Sequence, residues 1–188
     1  SGSVAFNKRL REWLSTCDYS DARLRVVSGG SPGLADKERR GDLDTQMEVN
    51  RAATHLYNIV FSECDTPYVL NVEDDILPPT NVATCLMDGF DTRTVAVAGA
   101  YRSRFSDQWH VHRKTGGQVQ LHDTGTGKEV VQSVGFGCVM LRRELLKNSP
   151  IVNRKWFDTM FYAKAPGNVV VDWSVTCLHA NLQPTLTG

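Results

Sequence analysis

The chain lacks an excess of charge of either sign and lacks a long apolar run, and each absence excludes a class of protein. Lysine plus arginine and aspartate plus glutamate number 21 each, so the electrostatic footprint of general nucleic-acid binding is missing. No apolar run is long enough to span a membrane, and none has the form of a signal peptide. We therefore expect no membrane span in this chain and a location in the cytoplasm or on the cytosolic face of a membrane.

Cysteine is sparse and shows no metal-binding spacing. The five cysteines, Cys17, Cys64, Cys85, Cys138 and Cys177, are far apart, and no two of them form a C-x-x-C pair. This pattern argues against a zinc site and against a dense disulfide framework. We expect buried free thiols in a reducing compartment.

The chain also lacks the standard glycine fingerprints of nucleotide-binding loops. Ser28–Gly33 is a glycine-rich turn after a predicted strand, but it contains no G-x-G-x-x-G and no G-K-S/T. Such a turn can let a nucleotide approach the backbone. The alternative is a simple connecting turn.

The most informative stretch is Tyr68–Pro79, in which an apolar, β-branched segment leads into three acids and stops at a proline pair. The apolar part is typical of a buried strand, whereas such a strand cannot hold Glu73, Asp74 and Asp75 unless a cation neutralises them. Because successive strand residues point to opposite faces, Glu73 and Asp75 share a side. Carboxylates suit Mg²⁺, Mn²⁺ or Ca²⁺, so we expect a metal site here, with a solvated acidic turn as the alternative.

Strands alternate with helices along the chain, which predicts an α/β fold with a largely parallel sheet. We expect one domain over residues 4–188, because the length suits a single domain and Ser1–Ser3 resembles the remnant of a tag. The predicted strands are Leu24–Val27, the segment before Glu73, Thr94–Ala100, Val130–Leu141 and Val169–Trp173. The predicted helices are Phe6–Leu14, Thr45–Cys64, Asn81–Phe90, one beginning at Arg142, and Ser174–Asn181.

A polar segment, Ser106–Lys128, lies between two predicted strands and is expected to form a hairpin or lid that contacts substrate. His110 and His112 would share one face of a strand, but no third ligand accompanies them, so a metal site there is disfavoured. Glycines in the following strand, Gly135 and Gly137, would admit a ligand close to the backbone.

Acids at the ends of two different strands indicate a division of labour. Glu73 and Asp75 would hold a metal ion that neutralises a diphosphate leaving group. Asp172, which ends the strand Val169–Trp173, would take a proton from an acceptor hydroxyl as general base. An acid that must be unprotonated at neutral pH needs little pKa tuning for this role.

These residues, in this order, resemble the GT-A fold, and in particular the large family-two inverting glycosyltransferases. Tyr68–Pro79 resembles the family's strand that ends in D-x-D, and Val134–Arg143 resembles its G-x-G-C strand and following helix. Val171–Trp173 is similar to the segment with the catalytic acid, Asn50–Arg51 to the helix near the donor diphosphate, and Val27–Ser31 to the second-strand turn. The resemblance covers most of the chain from Phe6 onward.

The resemblance implies a GT-A, Rossmann-like, mixed but mostly parallel sheet flanked by helices, without the family's first strand. It implies a hexosyltransferase-like enzyme that uses Mn²⁺ or Mg²⁺ and a nucleotide-sugar donor such as a UDP- or GDP-sugar, with an unidentified hydroxyl acceptor. Asp172 would be the base, and Asp75 and Glu73 the metal ligands. The implied donor contacts are Ser28, Gly29, Arg51, Glu73, Asp74, Gly135 and Gly137. The implied acceptor contacts are Arg102, Trp109 and Trp173.

The sequence departs from the family's pattern at four places, one of which is the absence of the family's first strand. Glu73-Asp74-Asp75 gives E-x-D in place of D-x-D, and Ser28 and Gly29 stand where the family has acids. The family's downstream histidine ligand has no clear match. His179 lies seven residues after Asp172, which is about 10 Å along the axis of the predicted helix. The two side chains would be too far apart to act at one point, so we expect His179 to be a packing residue.

Two other functions are compatible with the sequence. One is a metal-dependent nucleotidyltransferase, which also uses carboxylates and a nucleotide phosphate, although Ser28–Gly33 contains no cation. The other is a non-catalytic sugar- or partner-binding domain on the same fold, since fold alone does not decide function.

Overall fold

The structure is a computed structural model, and it describes about three quarters of the chain. The described residues are 8, 11–18, 23, 43–103, 106–114, 117–148, 150–153 and 157–179. Residues 11–16 are helical, within and just beyond the first predicted helix. The predicted strand Leu24–Val27 and the turn containing Ser28 and Gly29 lie outside the described residues.

The predicted helices Thr45–Cys64 and Asn81–Phe90 and the predicted strand Thr94–Ala100 occur close to their predicted positions. The predicted strand Val130–Leu141 is divided into three shorter strands. The helices are α1 (Leu43–Glu63), α2 (Val82–Met87), α3 (Arg143–Asn148) and α4 (Phe157–Tyr162). The strands are β1 (Tyr68–Val72), β2 (Ile76–Leu77), β3 (Thr94–Ala100), β4 (Trp109–Lys114), β5 (Gln118–Leu121), β6 (Lys128–Val131), β7 (Ser133–Val134), β8 (Cys138–Arg142), β9 (Asn168–Thr176) and β10 (Leu178–His179).

The central sheet has five strands in the order β1-β8-β3-β9-β6, and it is mostly antiparallel. Only β3 and β9 pair in parallel, whereas β8 is antiparallel to both β1 and β3, and β6 is antiparallel to β9. The prediction of an α/β fold with helices flanking a mixed sheet is confirmed, and the prediction of a mostly parallel sheet is wrong. The sequence of a buried apolar strand does not indicate the direction of the strand in the sheet. The order of helices and strands therefore could not show that β8 runs antiparallel to β1 and β3.

Helices cover both faces of this sheet. One face packs against α1, α3 and α4 in an aromatic-rich cluster that contains Phe61, Phe136, Phe161 and Val171. The other face packs against α2 in a second cluster, which contains Leu86 and Val170. Alternating residues of β9 thus enter opposite cores, as the two-residue period of a strand requires.

Two smaller sheets stand beside the main one. The polar segment after β3 forms the hairpin β4–β5, which pairs with β7, so the predicted hairpin is confirmed. The predicted helix Ser174–Asn181 is wrong, because β9 continues to Thr176 and β10 then pairs antiparallel with β2. Buried and exposed residues alternate from Ser174 to His179, which is the period of a strand.

No described helix is long and apolar enough to cross a membrane. All five cysteines are free thiols, of which Cys138 and Cys177 are buried and the other three are partly exposed.

Candidate functional site

The acidic turn follows β1 directly, at the edge of the sheet where β1, β3 and β9 all end. Two backbone hydrogen bonds shape it: Glu73 N donates to Gly137 O over 2.9 Å, and Ile76 N donates to Glu73 O over 3.1 Å. Asp74 is exposed, whereas Glu73 and Asp75 are half-buried. The turn is therefore tied to the glycine-containing loop that precedes β8.

Asp75 and His179 form a pair that the sequence did not predict. His179 Nε2 lies 3.1 Å from Asp75 Oδ2, and His179 Nδ1 lies 2.8 Å from the backbone oxygen of Arg102. Because a carbonyl oxygen only accepts, Nδ1 carries a proton and Nε2 is directed at the carboxylate. A second ring proton or a metal ion beside both atoms would make this contact favourable. His179 is 8% exposed and Asp75 remains accessible.

The short β2–β10 pairing creates this contact. His179 is the register partner of Ile76, the residue after Asp75. The sequence separation of 104 residues is bridged by a single pair of two-residue strands. The assignment of His179 to packing depended on a helix that does not exist.

Glu73 is held by a tyrosine from α1. The Tyr57 hydroxyl donates a short hydrogen bond to Glu73 Oε1. Burial, and then the Glu73 carboxylate, raise the pKa of Tyr57 well above its usual value, so the phenol stays protonated and donates. Glu73 therefore faces the site with one oxygen oriented by protein.

The predicted donor contact on α1 lies on a different side of the helix. Arg51 is exposed, six residues before Tyr57, which on an α-helix rotates it by about 120° from Tyr57. Asn50 lies seven residues before Tyr57, is half-buried and shares its face. Asn50, and not Arg51, therefore shares the helix face of Tyr57, about 10 Å from it along the axis.

Tyr101 fills the space beside Gly135 and Gly137 that the sequence suggested for a ligand. Gly137 N donates to the Tyr101 hydroxyl over 2.9 Å, and a Cβ on Gly137 would lie 2.6 Å from Tyr101 Cζ. A Cβ on Gly135 would overlap the Tyr101 hydroxyl oxygen. The Tyr101 ring also stacks on His110 and meets His179 edge-on, with ring centroids 5.0 and 5.9 Å apart. The two glycines thus accommodate a side chain of the protein itself.

Replacing Gly135 by alanine is expected to lower the free energy of unfolding by about 1–3 kcal/mol, because the new methyl overlaps the Tyr101 hydroxyl. In the double variant Gly135→Ala/Tyr101→Phe the overlap with the hydroxyl oxygen is removed, and a closer-than-normal contact of 2.9 Å with Cζ of residue 101 is left. The sum of the two single losses should therefore exceed the loss in the double variant by roughly 0.5 kcal/mol or more. Urea denaturation of the four proteins measures this. Gly117→Ala, where a Cβ meets nothing within 4 Å, is the matched control. Additive losses would contradict the packing described here.

Asp172 lies far from the acidic turn along the sheet. It is on β9, which β8 and β3 separate from β1, a distance of about 14 Å at normal strand spacing. Its side chain is 4% exposed, and Lys128 Nζ is 3.9 Å from Oδ2. Ser174 donates to Oδ1 from its backbone N at 3.0 Å and from its Oγ at 2.6 Å. The structure pairs Asp75 with His179 and holds Glu73, in the same turn, against Tyr57. It leaves Asp172 on the α2 side, where its buried carboxylate lies near the exposed Lys128 ammonium.

The predicted acceptor residues form a packed group. Trp109 and Trp173 are 6% and 5% exposed and meet edge-to-face at 5.5 Å between ring centroids. Trp173 Nε1 donates to Glu129 over 3.1 Å. The Arg102 guanidinium lies 4.5 Å over the Trp109 ring, while its carbonyl oxygen accepts from His179. Burial leaves the two indoles little surface for an acceptor, and Arg102 contributes its backbone to the site.

The donor set fits a divalent cation in part. Among the described residues, no group of three or more His, Cys, Asp or Glu side chains is arranged to hold a metal ion. Asp75 and His179 supply one carboxylate oxygen and one imidazole nitrogen, 3.1 Å apart, a combination that suits Mn²⁺ among the expected metals. Such a pair needs further oxygen ligands from water or from a bound phosphate group.

Three residues of this site were not predicted from the sequence as functional residues: Tyr57, Tyr101 and His179. Tyr57 reads as one more apolar position of α1, and Tyr101 as the end of a strand. For His179 the sequence did offer a signal, because apolar and polar residues alternate from Trp173 to Cys177. This alternation is typical of a strand and would have continued the strand toward His179.

Comparisons with known proteins give a fold-level likeness. No protein-family model matches the chain, and no curated protein matches it. A solved structure titled "Crystal Structure of A197 from STIV" is similar, with a TM-score of 0.53 and 16% sequence identity. The match covers 70% of this chain and 66% of that one, so this chain spans just under two thirds of A197. At this identity the likeness shows a shared fold alone.

Proposed function

We propose that this chain is a metal-dependent glycosyltransferase of GT-A type, which moves a sugar from a nucleotide-diphosphate-sugar to a hydroxyl acceptor. The observation that carries the proposal is the Asp75–His179 pair, with 3.1 Å between Nε2 and Oδ2, at the edge of the sheet beside Glu73. A carboxylate and an imidazole that are 104 residues apart in sequence lie side by side where three strands end, and a second carboxylate, Glu73, is oriented in the same turn. The order of motifs that resembles family-two glycosyltransferases supports the same function.

The site residues have separate tasks in this proposal. Asp75 and His179 would hold Mn²⁺ or Mg²⁺, which when bound supplies a Lewis acid for the leaving diphosphate. Glu73, oriented by Tyr57, would contribute a further oxygen toward the metal or the donor. Tyr101 positions His179 and the loop of Gly135 and Gly137 by packing against both. Asp74, Arg51, Ser28 and Gly29 stay predicted donor contacts.

The test is a donor screen by thermal unfolding. We expect UDP- or GDP-sugars with Mn²⁺ to raise the midpoint of unfolding and EDTA to cancel the rise. A ligand at 100 times its Kd stabilises the folded state by about 2.7 kcal/mol, roughly 5–10 °C for a chain of this size. Release of nucleoside diphosphate on incubation measures turnover.

Other outcomes separate the competing functions. Stabilisation by nucleoside triphosphates but by no nucleotide sugar would favour a nucleotidyltransferase. A folded protein that no nucleotide stabilises, with or without metal, would favour a non-catalytic binding domain. Full turnover in EDTA would contradict the metal role of Asp75. The five free thiols support the proposed cytoplasmic location.

A further inference from the structure

A cleft with a volume of about 260 Å³ opens at the edge of the central sheet where β1 begins and β8 ends. It lies beside the register partners Tyr68 and Arg142. The acidic turn follows the other end of β1, about 13 Å away along this five-residue strand. The charged residues that line the cleft are Asp65, Arg142, Arg143, Glu144 and Lys147. This cleft is therefore separate from the Asp75–His179 pair.

Arg142 is held in place at the cleft by the protein. Its Nε donates over 2.6 Å to the backbone oxygen of Thr94, and its Nη2 donates over 2.6 Å to the backbone oxygen of Asp91. The guanidinium also lies over the rings of Tyr68 and Phe90, 5.4 Å from each centroid. Both hydrogen-bond acceptors are neutral, so the positive charge is fixed in position without being cancelled. Such preorganisation lowers the entropic cost of binding an anion.

Two further cations lie one helical turn apart on α3. Arg143 and Lys147 are four residues apart and share a face of the helix, where like charges repel each other. Arg143 Nη1 donates to the backbone oxygen of Asp65 over 3.1 Å, whereas Arg143 Nε is buried without a hydrogen-bond partner. Neither residue, nor Arg142, belongs to an ion pair among the described residues. A bound anion would relieve the repulsion between these cations.

The acidic residues at the cleft leave an excess of positive charge. The Asp65 carboxylate accepts a hydrogen bond from Arg23 Nη1 over 3.1 Å, so its charge is paired outside the cleft. Glu144 is exposed and belongs to no ion pair in the part of the chain that the structure describes. Three cations thus accompany one unpaired carboxylate. This balance favours an anionic ligand.

The size of the cleft limits that ligand to a small anionic group. Pockets for drug-sized molecules have volumes of about 300–1,000 Å³, so a cleft of about 260 Å³ suits one phosphate group with a few attached atoms. A guanidinium matches phosphate oxygens with two parallel hydrogen bonds, and the Lys147 ammonium adds a point charge. An adjoining cleft of about 490 Å³ shares Arg142 and Glu144 with the first and gives space for the rest of the molecule.

We propose that the cleft formed by Arg142, Arg143 and Lys147 binds a terminal phosphate group. A soluble phosphomonoester and the headgroup of a phosphate-bearing lipid both present this group. The two guanidinium groups donate hydrogen bonds to the phosphate oxygens, and the ammonium of Lys147 attracts the anion from the exposed side. The proposal goes beyond the glycosyltransferase function, because the cleft lies away from the acidic turn and needs neither a metal ion nor a nucleotide sugar.

Calorimetric titration of the whole chain with glycerol 3-phosphate and with inorganic phosphate tests this site. EDTA is present throughout, and sodium chloride at matched ionic strength is the blank. We expect saturable binding that weakens as salt is added. Arg143→Gln should weaken binding about tenfold or more, because a hydrogen bond between charged groups is lost. Lys147→Gln should weaken it by about 2–5-fold, as is typical of an exposed cation.

Matched variants separate binding from folding. Lys164→Gln changes an exposed lysine that does not line the cleft, so it should bind like wild type. Lys147→Glu reverses the charge at an exposed position and should weaken binding more than Lys147→Gln does. Thermal unfolding without phosphate shows whether Arg143→Gln keeps its fold. Arg142 is left unchanged, because its side chain also joins β8 to the backbone of Asp91 and Thr94.

Vesicles distinguish the two sources of the phosphate group. Wild type is sedimented with phosphatidylcholine vesicles that contain or lack phosphatidic acid. Retention that requires phosphatidic acid, without binding of glycerol 3-phosphate, would identify a lipid headgroup as the ligand. Binding of glycerol 3-phosphate would identify a soluble phosphomonoester. Either result supports the site only if it is lost or weakened in Arg143→Gln and in Lys147→Glu.

Three results would overturn the proposal. The first is wild type that binds phosphate groups no better than chloride, both in solution and on vesicles. The second is wild-type affinity in both Arg143→Gln and Lys147→Glu. The third is loss of phosphate binding in Asp75→Ala, which should bind phosphate like wild type, because that loss would place the anion at the acidic turn.

Discussion

Replacing Asp75 by alanine is expected to abolish the Mn²⁺-dependent stabilisation of the chain by a nucleotide sugar. The carboxylate supplies one of the two paired donor atoms and is the partner of His179 Nε2. Residues that only orient metal ligands typically change affinity 10–100-fold, so loss of a ligand should weaken Mn²⁺ binding by about 100-fold or more. Calorimetric titration of Mn²⁺ in the presence of the nucleoside diphosphate measures the change directly.

Two further variants test whether the loss of Mn²⁺ binding is specific to the Asp75–His179 pair. His179→Ala should weaken Mn²⁺ binding in the same way, since it removes the other donor atom. Asp65→Ala, which removes an exposed acid paired with Arg23, is the matched control and should leave Mn²⁺ binding unchanged. Wild-type Mn²⁺ affinity in Asp75→Ala would exclude Asp75 as a ligand.

Replacing Phe136 by alanine is expected to cause a large loss of stability, about 3–5 kcal/mol in the free energy of unfolding. The side chain is 2% exposed and lies at the centre of an aromatic group. Five rings surround it at centroid distances of 5.0–6.2 Å: Tyr57, Phe61, Phe157, Phe161 and Tyr162. For a chain of this size the loss corresponds to roughly 10 °C in the midpoint of thermal unfolding.

Urea and thermal unfolding with a common probe measure this loss. Val152→Ala, at a position that is 56% exposed, is the control and should change stability little. Because Phe136 packs against Tyr57, which holds Glu73, Phe136→Ala should also weaken donor binding more than Val152→Ala does. A loss below about 1 kcal/mol for Phe136→Ala would mean that the ring is not part of a close-packed core.

Local pattern predicted much of the fold. Thr94–Ala100 is the strand that the run of small and β-branched residues indicates, and Thr45–Cys64 differs from α1 only at its ends. The acidic residues 73–75 fall directly after β1, as the change from apolar to acidic residues predicts. These features depend on periodicity and polarity within a single segment, which the sequence displays directly.

Pairing between distant segments could not be predicted in this way. The strand β8 (Cys138–Arg142) pairs antiparallel with both β1 and β3. Its apolar sequence does not show in which direction it runs relative to its neighbours. The contact between Tyr101 and Gly137 joins residues 36 apart, so two glycines that suggested a ligand instead admit a phenol ring. Asp172 is the predicted general base because it ends an apolar run, but the sequence could not show that Lys128, on the neighbouring strand β6, lies 3.9 Å from its carboxylate.

Hydrophobic periodicity and charge act within a few residues, so they predicted most of the elements and the acidic turn. Which side chains lie around that turn depends on contacts between distant segments. One two-residue pairing brings His179 to Asp75 across 104 positions, and the packing of α1 brings Tyr57 to Glu73. The composition of the site is therefore a property of strand register and helix packing, which long-range contacts determine.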